Sequence, residues 1–418
     1  MFLKDKSLHK NLSIVLGGVG IAQLIPFLFS FLIARLYSPE QFGIFGLLLS
    51  ITGPLSVIVC LRYELAIALP KDENESLGLV KLGWIIAFLL SLISILAIFV
   101  YSLFVIDFQY SSLYFIVPPF IIFVAVGQTI NYWLQRKEQF KKIAFLKIIQ
   151  TSSISILTVL FGYFFLKDGL VLGYILGWLI LAFVSFFILF RAKSFSQKAS
   201  SNLVLLMKKY KDYPLYNAFP ALLQAVCISI PLWIAQKYFS TNDVGFFNLT
   251  RQLLLVITGI GIPAFTQIYY QRSVAALHQN KEQFTEFKKF FSILLVLSVI
   301  AVIILFFFGN ELFIILYGSN WSPSGKIASI LIFSTSLQLI VFPLATVLNT
   351  IQKIKIASLW QILYFLSLIT LYFFKFKSFN SFLKVYIVVE SSMLIVYFLT
   401  IYLLVKKHDY SIVNKKHE

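Results

Sequence analysis

Long stretches without a charged side chain alternate with short basic segments along the whole chain. Uncharged runs occupy 11–34, 41–61, 82–106, 108–135, 148–166, 169–190, 213–236, 252–271, 290–310, 327–352 and 356–374, and a further run, 385–405, is interrupted only by Glu390. A spanning helix needs about 20 apolar residues, at about 1.5 Å each, to cross a hydrocarbon core about 30 Å thick. The runs meet that need and are apolar on every side. A transmembrane β-barrel would instead alternate apolar and polar positions over strands of about ten residues. The pattern predicts an all-α polytopic membrane protein with about twelve transmembrane helices.

One junction between runs is written twice. RLYSPEQFGIFGL at 35–47 and KYFSTNDVGFFNL at 237–249 match without a gap at Ser38/Ser240, Gly43/Gly245, Phe45/Phe247 and Leu47/Leu249, and both open on a basic residue, Arg35 and Lys237. The first joins runs one and two, the second runs seven and eight. Six spans separate them, so both halves enter the membrane in the same orientation, as in a parallel repeat. The expected organisation is an N-terminal six-helix lobe at 1–190, a basic linker at 191–212, a C-terminal six-helix lobe at 213–405 and a basic tail at 406–418. In each copy a turn residue, Pro39 or Asn242, precedes a glycine, Gly43 or Gly245, small enough to let helices approach closely. Pro26 and Pro231, in the first helix of each lobe, are the expected bending points. Within the linker, LVLLMKKYK at 203–211 has the makeup of a short interfacial helix.

Composition agrees with this picture: 59% of residues are hydrophobic and 12% charged, about half the charged share of a soluble domain. The net charge of +18 would suggest nucleic acid in a soluble chain, but its placement argues for topology. With the N-terminus in the cytosol, inner segments hold 26 of the 35 Lys and Arg residues and outer segments 7, while Arg62 and Arg251 fall inside runs. Cytoplasmic loops are enriched in these residues. The charge thus reads as orientation, with both termini cytosolic, and as attraction to anionic lipid heads. Outer segment 375–384, with Lys375, Lys377 and Lys384, is the dissenting one. Cys60 and Cys227 read as small buried side chains. The four histidines lack metal-ligand spacing, so no metal and no cofactor is expected.

The run FLIARLYSPEQFGIFGLLLSITGPLSVIVCLRYELAIALPKDENES, at 31–76, resembles the start of Wzx-type polysaccharide flippases. These belong to the multidrug/oligosaccharidyl-lipid/polysaccharide exporter superfamily. LYSPEQFG at 36–43 and RYELAIALP at 62–70 carry the resemblance. It implies a transporter, not an enzyme, in the bacterial inner membrane, with two lobes around a central cavity and alternating access. It implies an undecaprenyl-diphosphate-linked oligosaccharide of O-antigen or capsule type as substrate, membrane lipids as surroundings, and polysaccharide polymerase and chain-length proteins as candidate partners. Two rival readings stay open. A cation-coupled drug exporter of the same superfamily typically holds a carboxylate in its first span, and 11–34 has none. A membrane glycan polymerase or transferase would need acids near the interface, and the longest outer loop, 310–326, holds one.

Carrying such a head group requires fixed cations for the diphosphate and polar groups for the sugars. Arg62 lies eight residues before Pro70, about 12 Å along a helix from its cytosolic end. An arginine at mid-membrane costs roughly 2.5–3.5 kcal/mol on insertion scales, which makes Arg62 the leading candidate. Glu64 would point to another side of the same helix and pair elsewhere, because i and i+2 do not face each other. Arg251, about 9 Å into span eight from the outer side, and Arg35, at the outer end of span one, are the further candidate cations. Gln128 and Asn131 share a face of span four and are the candidate sugar contacts.

Overall fold

The computed structural model describes residues 6–104, 114–192, 202–279 and 281–417. The start of the expected fourth span, 108–113, and the linker residues 193–201 lie outside them. Six long helices come first: α1 (Lys6–Leu36), α2 (Pro39–Ile58), α3 (Glu73–Phe104), α4 (Val117–Arg136), α5 (Phe140–Tyr163) and α6 (Gly169–Phe190). A short helix in the linker, α7 (Leu203–Lys209), precedes six more: α8 (Phe219–Tyr238), α9 (Thr241–His278), α10 (Gln283–Tyr317), α11 (Ser322–Ala345), α12 (Ile354–Leu371) and α13 (Phe379–His417). Among the described residues there is no strand. Eleven of these helices are long and apolar enough to cross a membrane. The remaining long helix, α1, has 31 residues, of which Gly20–Leu36 forms a shorter apolar helical stretch. The chain is a multi-pass membrane protein. Its outward faces carry large apolar side chains such as Phe99, Phe183, Phe307 and Ile315, which lipid accepts and water would not.

One expected loop is absent. Residues 310–326 are mostly helix, because α10 continues to Tyr317 and α11 begins at Ser322. The apolar stretch LFIILY at 312–317 keeps the helix going, and Gly318, at φ 102°, ends it with a conformation glycine adopts without strain.

The doubled junction begins its helices in one way. Ser38 accepts from the Gln41 backbone N–H at 3.4 Å, and Gln41 Oε1 accepts from the Ser38 N–H at 2.8 Å. Ser240 and Asp243 repeat the exchange at 3.2 Å in each direction. Both are capping boxes, which satisfy otherwise orphaned amides at the start of α2 and α9. Gly43 and Gly245 are buried just inside these helices, and Pro26 and Pro231 lie within α1 and α8.

The chain divides into two compact units, Met1–Ser229 and Ile230–Glu418. In the first, α3 packs on α4, α4 on α6, α5 on α6, and α2 on α4. In the second, α10 packs on α11, α11 on α13, α12 on α13, and α9 on α11. Third with fourth, fourth with sixth, fifth with sixth and second with fourth: these four pairings recur in both six-helix runs, whereas the packing of α1 on α5 is not matched by packing of like extent between α8 and α12.

Close backbone approach is built differently in each unit. Gly169, Gly173 and Gly177 recur every fourth residue on α6. A Cβ on Gly173 would sit 2.8 Å from Thr158 Cα, and one on Gly177 would sit 2.9 Å from Ile154 N. The α5–α6 pair therefore packs backbone against backbone. In the second unit the tight pair is α10–α11, where a Cβ on Gly325 would sit 2.6 Å from Asn310 Cα.

Candidate functional site

The helix that opens at the first junction does not reach Pro70. It ends at Ile58, and Leu61 and Arg62 then take positive φ values of 48° and 66°. Left-handed backbone costs a non-glycine residue on the order of 1 kcal/mol or more. A 3-10 helix, Tyr63–Ala68, follows. Two expectations are corrected here. Arg62 stands at a break between helices and not inside span two. Glu64, expected to pair elsewhere, lies beside it, with Arg62 NH1 3.6 Å from Glu64 Oε1. The backbone turn at 61–62 abolishes the helical stagger that keeps i and i+2 apart.

The pair is unequal in exposure. The Arg62 side chain is 25% exposed and that of Glu64 only 2%. Burial pushes the Glu64 carboxyl up, and its own backbone hydrogen bond and the Arg62 charge act against that rise. Arg62 Nε and Glu64 Oε2 have no hydrogen-bond partner among the described residues. Half-buried Tyr132, on α4, is within electrostatic reach of both. On the same helix the Gln128 amide donates to the Ser56 carbonyl at 2.9 Å, tying α4 to α2, and Asn131 is half-buried one turn further on. What results is a planar cation with an open N–H beside a buried carboxylate. A guanidinium fork fits phosphate oxygens two at a time.

Other side chains hold this turn. Ser76 Oγ donates to the Ile67 carbonyl at 2.9 Å. Arg136, at the end of α4, donates from Nε and NH2 to the Pro70 carbonyl at 3.2 and 3.1 Å and from NH2 to the Lys71 carbonyl at 3.0 Å, and its NH1 pairs with Glu73. Glu73 also takes Lys137 at 2.6 Å and the Trp133 indole at 3.1 Å. Sequence reasoning counted Arg136 only as an orientation charge and did not single out Glu73. They stand 63 residues apart, and nothing in one sequence joins them.

The other candidates lie apart from this cluster. Arg35 is exposed in the last turn of α1, before α2 begins. Arg251 belongs to the second unit. Its guanidinium lies 5.5 Å from the Phe247 ring, which meets Tyr386 edge-on at 6.3 Å. The Tyr386 hydroxyl donates to Oε1 of buried Glu390 at 3.1 Å. Tyr364 and Gln338 donate to the same oxygen at 3.0 and 2.9 Å. Among the described residues, no group of three or more His, Cys, Asp or Glu is placed to hold a metal ion.

A family model described as "Polysaccharide biosynthesis protein" matches residues 8–270. No curated protein matches the chain. Several solved structures share its fold. An inward-facing multidrug resistance MATE family transporter of the MOP superfamily superposes with a TM-score of 0.70 at 14% identity, covering 94% of this chain and 99% of that one. The lipid II flippase MurJ, in an inward closed conformation, gives 0.70 at 13% identity, covering 95% and 92%. A MOP superfamily transporter from Pyrococcus furiosus gives 0.58 at 12% identity, covering 94% and 95%. At such identities the likeness is one of fold.

Proposed function

The chain belongs to the polysaccharide biosynthesis protein family, and we propose that it is a Wzx-type flippase carrying an undecaprenyl-diphosphate-linked oligosaccharide, such as an O-antigen or capsule repeat unit, from the cytosolic to the outer leaflet of the bacterial inner membrane. In this reading the lobes are 1–190 and 213–405, joined by the linker 191–212, and both termini are cytosolic. No covalent bond changes. The work lies in moving an anionic head group through hydrocarbon, which requires charge compensation at a fixed place. Arg62 supplies it. Glu64 holds the guanidinium when no head group is present, since an uncompensated charge away from water is costly. Arg251 and Arg35 are further contacts for the diphosphate along its route. Asn131, and the amide capacity of Gln128 left after its bond to Ser56, face the sugars.

The observation that carries this reading is the state of Arg62: a left-handed backbone, a partly exposed guanidinium and an unfilled N–H. Strain of that kind persists where surrounding structure over-determines it, and it concentrates at functional sites. Arg62→Ala is expected to abolish surface glycan and build up its lipid-linked precursor, with membrane abundance of the protein unchanged; Arg62→Lys keeps the charge but loses the fork and is expected to retain a minor share. Extraction and quantification of lipid-linked glycans checks both. Normal glycan display by Arg62→Ala refutes the role.

A further inference from the structure

The residue after Arg62 reaches out of its own hairpin. Tyr63 is buried, and its hydroxyl donates to the Met207 carbonyl of α7 at 3.2 Å. The partners are 144 residues apart. Helix α7 is fastened beside that contact. The Tyr210 hydroxyl donates to Glu75 Oε1 at 3.1 Å, and Lys209 pairs with the same carboxylate, in the first turn of α3. Leu206 is inserted into a core that also holds Tyr63, Ile67 and Trp133. In chain order α7 lies between α6 and α8, in the stretch joining the two six-helix runs. The strained turn is thus bracketed from two sides. Ser76 and Arg136 hold its far end, at 67–71, while Tyr63 ties its near end to the linker.

Left-handed φ at two successive non-glycine residues lasts only while the surroundings impose it. The Tyr63 hydroxyl is the hydrogen bond adjacent to that turn which leads to another segment. We propose that α7 is the positioning element of Arg62: through the Tyr63–Met207 hydrogen bond, the place of the linker sets the direction of the guanidinium. The ligand class is an isoprenyl diphosphate head group, and the proposal rests on the reading of Arg62 given above. A linker that shifts during transport would then alter head-group binding without touching the ligand.

Tyr63→Phe deletes one oxygen and leaves the ring in the core. The probe is farnesyl diphosphate, titrated into the full chain purified in detergent. Arg62→Ala is expected to weaken binding by about tenfold or more, the scale of a charge-assisted contact. Tyr63→Phe is expected to weaken it about threefold, the worth of one neutral hydrogen bond. In the Arg62→Ala background Tyr63→Phe should add nothing, whereas a merely structural tyrosine would leave the affinity of the folded protein unchanged. Amide hydrogen exchange at 60–69 should also speed up in Tyr63→Phe. If that variant does not purify as a folded protein, Tyr210→Phe, which loosens α7 from Glu75, carries the same expectations. Wild-type affinity in Tyr63→Phe beside weakened binding in Arg62→Ala overturns the positioning role and leaves Arg62 as a ligand. Wild-type affinity in Arg62→Ala overturns the ligand reading; exchange at 60–69 then decides alone, faster exchange upholding the tie to α7 and unchanged exchange removing it.

Discussion

Ser38 and Ser240 cap the second helix of their respective halves in the same way, yet α2 stops after 20 residues and α9 runs for 38. Proline is not the difference, since Pro54 lies in α2 and Pro263 in α9. The residue 202 positions after Arg62 is Ala264, inside the unbroken α9. The cap decides where a helix starts; contacts from distant segments decide where it ends. Ser76, Arg136 and Tyr63 impose the break in the first half. The buried carboxylates differ in step with this. Glu390 has three donors on one oxygen, while Glu64 has its own backbone hydrogen bond, one long contact to Arg62 and an unpartnered oxygen. The two junctions differ as well. Tyr37 donates to the Thr158 carbonyl at 2.7 Å, and burial pushes its phenol up to about 12, so it stays a donor. Its counterpart Phe239 packs edge-on against Phe379 at 5.3 Å. A repeated frame has been finished by different side chains, and at 61–64 the first half combines left-handed backbone with an incompletely satisfied ion pair.

The sharpest break in the comparison targets the fifth and sixth helices. Gly177→Val must push the Ile154 backbone away and is expected to cost about 3 kcal/mol, read as a drop in Tm of the purified protein. The corresponding pair, α12–α13, contains no glycine, so this dependence belongs to the first half alone. A Tm within a degree or so of wild type would show that α5 and α6 do not depend on the approach. Next in size is the contrast between carboxylates. Glu390→Ala leaves Gln338, Tyr364 and Tyr386 without their acceptor and should cost about 2 kcal/mol. Glu64→Gln gives up one long contact and a buried charge, and should stay within about 0.5 kcal/mol of wild type. Equal losses at both sites in thermal unfolding would erase the distinction between a structural node and a site.

The helical membrane fold and the repeated junction were legible in sequence because they rest on composition and on local pattern. Twelve charge-poor runs suffice to place twelve helices. The break at 58–62 was not legible: LRYELAIAL contains ordinary helix formers, with no glycine or proline until Pro70. Tertiary contacts override that propensity, and they come from residues 73, 76, 136 and 207, which a one-sequence reading has no means to bring together. For the same reason Arg62 was found as a candidate, through the cost of its charge, while its pairing with Glu64 was missed. The loop expected at 310–326 failed for a milder reason, since Asn310 and Glu311 do not end a helix that continues through the apolar run 312–317.

The smallest expected effect tests what the halves share. Both serines accept from the backbone N–H three residues on, and both partners return the bond to the serine N–H. Ser→Ala at an N-cap costs about 1 kcal/mol, so Ser38→Ala and Ser240→Ala should lower stability by similar amounts in one detergent. One asymmetry is built in. Asp243 places a full negative charge at the positive end of α9, whereas Gln41 is neutral and α2 has Glu40 in its first turn instead. Asp243→Asn should therefore lose a further few tenths of a kcal/mol at low ionic strength and recover them in high salt, while Gln41→Asn should show no salt dependence. If the serine variants differ by more than about 1 kcal/mol, the two junctions share a sequence pattern without sharing an energetic role.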